Sequence, residues 1–279
     1  ILYVTEYGYT LIERISNDMD FEFKKRYDIN DMLKIMAILR SENGCPWDKE
    51  QDHHSIRKDF IEEVYEAVEA IDLEDTELLR EELGDVLLQV VFHSRIEEEK
   101  GSFDFGDVVN EVCQKLVIRH PHVFGTVTVK DSTEVLSNWN DIKQETKGQE
   151  TYTDTLRSVC SALPALMRAQ KLGTRAKRAG MDFAGVNEAL EALESEIAEL
   201  KAAIADGTNV EEEMGDVLFS AVNVSRLLKI DAEEALTRSS DKFVERFAKT
   251  EELTRCDGAD MRSLNIDQLD AYWQKAKKQ

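Results

Sequence analysis

Proline is nearly absent from this chain, at 3 of 279 residues, and glycine is sparse at 13. That scarcity excludes a turn-rich architecture of many short strands and leaves long helices as the default. The four cysteines, Cys45, Cys113, Cys160 and Cys256, are scattered without a CxxC pair. A disulfide framework and a thiolate zinc site are therefore excluded, and reduced cytoplasmic thiols are expected. No apolar run approaches the roughly 18–20 residues that span a bilayer, and no secretory signal is visible. Positive charge is in deficit: 35 Lys and Arg against 57 Asp and Glu give a net charge of −22. Such a balance opposes non-specific binding to nucleic acid or to an anionic membrane. It does not exclude anionic substrates, because a bound metal inverts the local field. There is no G-x-x-x-x-G-K-[ST] phosphate loop and no nucleophile elbow, so any phosphate chemistry must rest on metal. What remains is 42% hydrophobic residues, enough for real cores, in a length that suits about two domains of ~150 residues each.

The strongest positive feature is a carboxylate pattern that occurs twice. The first copy has Glu62, Glu63 and Glu66, then Glu82 and Asp85; the second has Glu196 and Glu199, then Glu213 and Asp216. The second halves share nearly the same text, EELGDVL from Glu81 and EEMGDVL from Glu212. At an offset of 131, residues 80–96 match residues 211–227 at 9 of 17 positions, which indicates a duplicated unit. Carboxylates three apart on a helix share a face. The pairs also mirror each other about a turn. Glu63 with Asp85 and Glu66 with Glu82 are centred on Glu74; Glu196 with Asp216 and Glu199 with Glu213 are centred on Asp206-Gly207. If each copy is an antiparallel helical hairpin, four carboxylates meet at one level. Such a cluster repels itself unless cations occupy it, and oxygen-only donors point to Mg²⁺, with Mn²⁺ as a possible substitute. In a chain this acidic a single ExxE is ordinarily a solvated face; mirrored, duplicated pairs are not.

Apolar spacing predicts helices nearly throughout. Ile29 to Arg40 forms the first; Asn43-Gly44 stops it and Pro46 is expected to keep the next stretch irregular. Helices then run from about His53 to Ile71, from Thr76 to Lys100 with Gly101 as stop, and from Phe105 to His120 before Pro121. Asp131 with Glu134 reads as a capping box for a helix through Trp139 and Lys143. Gly148 to Asp154 is polar and reads as a linker. Ser161 is expected to cap a helix with Pro164 in its first turn, ending near Gly180. A hairpin of Val186 to Ala205 and Val210 to Lys229 follows. Asp231 with Glu234 reads as another capping box, and Asn265 caps a last helix holding Trp273. In residues 1–28, Tyr3, Val4, Tyr7, Tyr9 and Ile12 suit a strand, but nothing that follows reads as a partner for it.

Each half also offers cations one helical turn apart: Lys115 with Arg119, and Lys242 with Arg246. They suit phosphate oxygens, although such pairs are by default surface partners for nearby acids. Each half ends in a tryptophan, Trp139 or Trp273, that can stack on a base or anchor a core. His120 and His122 flank Pro121, where a histidine at a helix C-terminus is the simpler reading than a metal ligand. His53 and His54 precede the first acidic helix as weak candidates.

These residues together resemble the MazG family of nucleoside triphosphate pyrophosphohydrolases in its tandem-domain form. The resemblance is carried by EExxE at Glu62–Glu66 with ExxD at Glu82–Asp85, and by ExxE at Glu196–Glu199 with ExxD at Glu213–Asp216. ENGCPWDKEQ from Glu42, RHPHVFG from Arg119 and LPALMRAQK from Leu163 support it. It covers roughly residues 29–279. It implies an all-α fold of two such domains, 29–147 and 157–279, joined by a linker at 148–156, with 1–28 as an unassigned extension. Some members carry an upstream methylase-like domain, of which residues 1–28 would be a remnant or linker. It implies a homodimer whose sites take helices from both subunits, and Mg²⁺-dependent hydrolysis of (d)NTPs to the monophosphate and pyrophosphate by an activated water, cleaning the nucleotide pool with broad base tolerance. On that reading Glu63, Glu66, Glu82 and Asp85 hold metal in the first copy, and Glu196, Glu199, Glu213 and Asp216 in the second. Glu62, Glu63 and Glu196 are the catalytic carboxylates. Lys115, Arg119, Lys242 and Arg246 contact phosphates, and Trp139 or Trp273 packs near the nucleoside.

One departure matters. The double Glu of the first copy, Glu62-Glu63, becomes Ser195-Glu196 in the second, and serine cannot replace a carboxylate ligand or base. The second copy keeps the better basic pair and the terminal Trp273. These residues leave open which copy works, and favour the second or both. Two other functions compete: a non-catalytic acidic helical protein that dimerises or binds a partner, and a narrower all-α enzyme of the dUTPase or phosphoribosyl-ATP pyrophosphohydrolase type.

Overall fold

A computed structural model of the protein describes residues 2–4, 10–12, 21–146 and 148–278. The chain divides into two compact units, Ile1–Val135 and Leu136–Gln279. As expected, the described residues are overwhelmingly helical. The exception is a short antiparallel ribbon of β1 (Leu2–Val4) and β2 (Thr10–Ile12), with Tyr3 opposite Leu11. The strand at Tyr3 and Val4 therefore does have a partner, contrary to the sequence reading, and Ile12 belongs to that partner. Tyr7 and Tyr9 lie outside the described residues.

The first unit begins its helices with α1 (Ile29–Leu39), whose N-terminus is closed by reciprocal bonds between Asp28 and Asp31. Next is α2 (Pro46–Glu50). The irregular stretch expected at Pro46 is thus a short helix, because proline at the first helical position costs no hydrogen bond and already has a helical φ. Then come α3 (Arg57–Asp72) and α4 (Thr76–Lys100). The former starts four residues later than His53, because the Asp52 carboxylate accepts from the amides of His54 and Ser55 and holds them in a turn. The two pack as a hairpin whose tip holds Glu74 at φ +54°. Gly101, at φ +72°, ends α4. After it come α5 (Phe105–Arg119) and α6 (Pro121–Phe124). The core of this unit is Met36, Ile56, Val91, Phe92 and Ile96, flanked by Met32, Leu33, Leu88 and Phe105.

Helix α7 (Ser132–Thr146) opens at the end of the first unit and continues in the second. Its expected capping box is displaced: Asp131 accepts from the amides of Thr133 and Glu134, but Glu134 reaches back to the amide of Lys130. The stretch read as a linker becomes helical at α8 (Tyr152–Arg157), capped by Thr151 with Asp154. Helix α9 (Ala165–Arg178) starts just after Pro164 rather than including it. The second hairpin is α10 (Val186–Asp206) and α11 (Val210–Leu227), turned through Gly207 at φ +68° and Asn209 at φ +53°. Helix α12 (Ala232–Cys256) takes its cap from Asp231 alone, because Glu234 pairs with Arg238 instead of returning to the cap. The chain closes with α13 (Ile266–Ala276), capped by Asn265 and Gln268. In this unit α9 packs on α11 at Gly173, where a Cβ would stand 2.7 Å from Asn223 Oδ1 and 2.8 Å from Arg226 Nε. Arg226 is held in turn by Asp182 at 2.5 Å.

Candidate metal centres

Both hairpins bring carboxylates together. In the first, oxygens of Glu63 and Glu66 on α3 and of Glu82 on α4 all lie within 4.8 Å of one another; in the second, Glu196 on α10 with Glu213 and Asp216 on α11 do the same. Each cluster thus takes acids from both arms of its hairpin, as the mirrored spacing implies. Three of the four expected residues meet in each. Asp85 is outside the first group and Glu199 outside the second, but both act on the clusters electrostatically.

Partial burial raises the Glu63 carboxyl above the ordinary carboxylate range, and the charges of Asp85 and Glu66 push it further. Glu82 is raised by burial, then by Glu66 and Asp85. The second copy repeats this: Glu196 is raised by burial and then by Glu199 and Asp216, and Glu213 by burial and the same two neighbours. The neighbouring charges that raise these four groups are all carboxylates. Oxygen-only donors at this spacing, destabilised by mutual repulsion, fit a hard divalent cation such as Mg²⁺ and fit no softer metal as well.

The remaining candidates are dispersed. Glu62 is exposed on α3, beside the first cluster rather than in it. Ser195, its counterpart, donates its hydroxyl to Glu199 Oε1 at 3.2 Å. Lys115 pairs with Glu111 at 3.2 Å, while Arg119 follows one turn later at the end of α5. Lys242 and Arg246 line a groove between α12 and α13 that also holds Lys249, Arg255 and Lys277. Trp273 packs on Phe243 with ring centroids 5.2 Å apart, and Trp139 is half-buried on α7. His120 Nδ1 lies 2.6 Å from the Leu116 carbonyl, the helix-terminating role the sequence suggested.

Two groupings escaped the sequence reading, which had His53 as a weak candidate but not its partners. His53 lies between His93 on α4, with Nδ1 atoms 2.7 Å apart, and Glu97 at 2.6 Å. The forty-residue separation of the two histidines gives no local signal. The other set is on α9, where Arg168, Lys171, Arg175, Lys177 and Arg178 occur with no acid between them. That run was visible as a local reversal of charge.

A family model described as the MazG nucleotide pyrophosphohydrolase domain matches residues 51–124 and again residues 185–250. Each match contains one acidic hairpin. A Thermotoga maritima protein named nucleoside triphosphate pyrophosphohydrolase/pyrophosphatase MazG is 44% identical over 88% of this chain and 94% of its own length. An Escherichia coli K12 protein named nucleoside triphosphate pyrophosphohydrolase is 41% identical over 90% of this chain and 97% of its own. The Bacillus subtilis protein YabN, described as uncharacterized, is 42% identical over 90% of this chain but 52% of its own length.

Proposed function

The chain belongs to the MazG nucleotide pyrophosphohydrolase family, and from that membership we propose that it hydrolyses nucleoside and deoxynucleoside triphosphates to the monophosphate and pyrophosphate, dependent on Mg²⁺. The observation that carries this reading is the paired triads of carboxylates, each within 4.8 Å, one in each matched segment. Glu63, Glu66, Glu82 and Asp85 would hold metal in the first copy, and Glu196, Glu199, Glu213 and Asp216 in the second. Bound Mg²⁺ supplies activation of a water and neutralisation of charge developing on the phosphates. The protein's own share is binding and orientation. Glu62 stands beside the first triad, where a carboxylate can orient the attacking water or take its proton; Glu63 and Glu196 are the other catalytic carboxylates. Lys242 and Arg246, and in the first copy Lys115 and Arg119, would grip phosphate oxygens. Trp273 or Trp139 would pack beside the nucleoside.

Both copies are proposed to bind metal, in domains 29–147 and 157–279 joined at 148–156. The second copy, or both, is favoured as the working one: its basic pair shares a groove with Lys249, Arg255 and Lys277, beside Glu245, Glu251 and Glu252. Broad base tolerance, a role in clearing the cytoplasmic nucleotide pool and assembly as a homodimer complete the proposal. Pyrophosphate release from the eight common NTPs and dNTPs, with Mg²⁺ and with EDTA, tests it on wild type, Glu66→Gln and Glu199→Gln. Release that needs Mg²⁺ and falls by two or more orders of magnitude with one substitution identifies the working copy. Release unchanged in the double variant would remove these carboxylates from the site.

A further inference from the structure

A cavity of about 230 Å³ lies within the second unit, walled by α7, α8 and α9. None of its lining residues belongs to either acidic hairpin or to the Lys115–Arg119 and Lys242–Arg246 pairs. Lys143, Lys171, Arg175 and Arg178 line it, and none of its described lining residues is Asp or Glu. In a chain of net charge −22 this is an unusual concentration of one sign. The groove around Lys242 and Arg246 makes the contrast, since Glu245, Glu251 and Glu252 share its walls with the cations.

Arg175 is built into the cavity wall. Its Nη1 donates to the Thr155 carbonyl and, at 2.7 Å, to Ser158 Oγ, so α8 fixes its guanidinium. Both bonds are to neutral oxygens, and the remaining donors of the five-donor fork are not used by them. Burial lowers the Arg175 pKa, and the neighbouring Arg178 charge lowers it further. Keeping like charges this close in a part-enclosed space costs free energy that an anion would offset. Gln144 and Tyr152 add an amide and an exposed aromatic face to the rim.

We propose that this cavity is a second ligand site, distinct from the metal centres, that takes a small phosphorylated anion. Planar guanidinium forks beside an ammonium are matched to phosphate oxygens, and several cations call for a ligand of more than one negative charge. Inorganic pyrophosphate and a nucleoside monophosphate both satisfy this; naming those two rests on the hydrolytic reading above, whereas the charge argument does not.

The experiment is calorimetric titration of the 279-residue chain, in EDTA, with pyrophosphate and separately with AMP. EDTA removes the metal that the acidic hairpins would need, so binding there is not measured. Saturable binding to one site per chain is expected, retained in the Glu66→Gln/Glu199→Gln variant and weakened at least tenfold in Lys171→Gln/Arg178→Gln. Both cations are exposed on α9, so folding of that variant is expected to be intact, checked by its thermal transition. Pyrophosphate binding would make the phosphates sufficient; binding of AMP alone would add recognition by Tyr152 and the amides. No saturable binding of either anion, or binding that the Lys171/Arg178 variant leaves unchanged, overturns the site. Because no turnover is measured, failure here leaves the hydrolytic proposal standing, and failure of that proposal leaves this site standing.

Discussion

Ser195 occupies the place that Glu62 holds in the first copy, and its hydroxyl is committed to Glu199 at 3.2 Å. The substitution therefore removes a charge and also ties down one oxygen of the carboxylate left outside the second triad. Its effect on the site was legible as a missing acid; the new hydrogen bond was not, since serine and glutamate four apart meet only once the helix exists. The same limit hid Glu97. Lys100 and His53 both bond it, at 2.7 and 2.6 Å, and these contacts bring its carboxyl down to about 2. Its neighbour His93 is kept on the neutral side by burial and by His53. A carboxyl with a lowered folded pKa contributes stability that is fully present above its unfolded value, here 4.5, and lost as pH falls through the folded value. We therefore expect the difference in thermal midpoint between wild type and Glu97→Gln to be constant above pH 4.5 and to shrink towards pH 2. A difference independent of pH across that window would show that Glu97 acts there through shape and not charge.

At the scale of elements, the two acidic hairpins were the most legible part of the chain. Their mirror spacing is a property of two antiparallel helices joined by a short turn, so the midpoints at Glu74 and at Asp206-Gly207 could be read before any coordinate. Helix starts were less legible. They depend on which side chain captures a free amide: Asp52 delayed α3, Pro46 opened α2, and Glu234 turned to Arg238 instead of its own cap. The hairpins also carry a thermodynamic signature. Glu63, Glu82, Glu196 and Glu213 have folded pKa values raised above 4.5 by burial and then by the neighbouring carboxylates, chiefly Glu66 and Asp85 in the first hairpin and Glu199 and Asp216 in the second. The stability they contribute is complete below pH 4.5 and lost as pH rises through the folded values, so at neutral pH each hairpin is strained by its own charge. A divalent cation bound there, as proposed, would relieve that strain. Metal-free protein should melt higher when Mg²⁺ is added at neutral pH, by about 2.7 kcal/mol per site at 100-fold excess over Kd, or several degrees. The rise should shrink as pH falls towards 4.5 and Glu63, Glu82, Glu196 and Glu213 take up protons. Calorimetric scans with Mg²⁺ and with EDTA, on wild type and Glu82→Gln/Glu213→Gln, read this directly. A Mg²⁺ effect of equal size in the double variant would place the metal elsewhere.

The whole molecule leaves much apolar surface uncovered. On α3 the stripe Ile61, Val64, Tyr65, Val68 and Ile71 is 42–58% exposed, and on α4 Leu83 and Leu87 are 55% and 38% exposed. The second hairpin repeats the feature with Ile197, Ile204, Met214 and Leu218. These positions recur at i, i+3, i+4 and i+7, the spacing of a helix face that is buried. In sequence they were indistinguishable from core, because periodicity marks a face for burial without saying whether the cover comes from the same chain. Monomeric proteins rarely expose continuous apolar patches of this kind, and the same helices carry the carboxylate clusters on another face. A second copy of the chain, as proposed above, would cover such a self-similar surface. Sedimentation should therefore find wild type as a dimer or a larger closed assembly. Charges placed on the stripe, as Val64→Glu with Val68→Glu, should shift the mass towards monomer. Neither residue is in a carboxylate triad, so a simultaneous loss of Mg²⁺-dependent turnover would tie the site to the assembly. A wild-type protein that sediments as a folded monomer at all concentrations would leave these faces without a partner of its own kind.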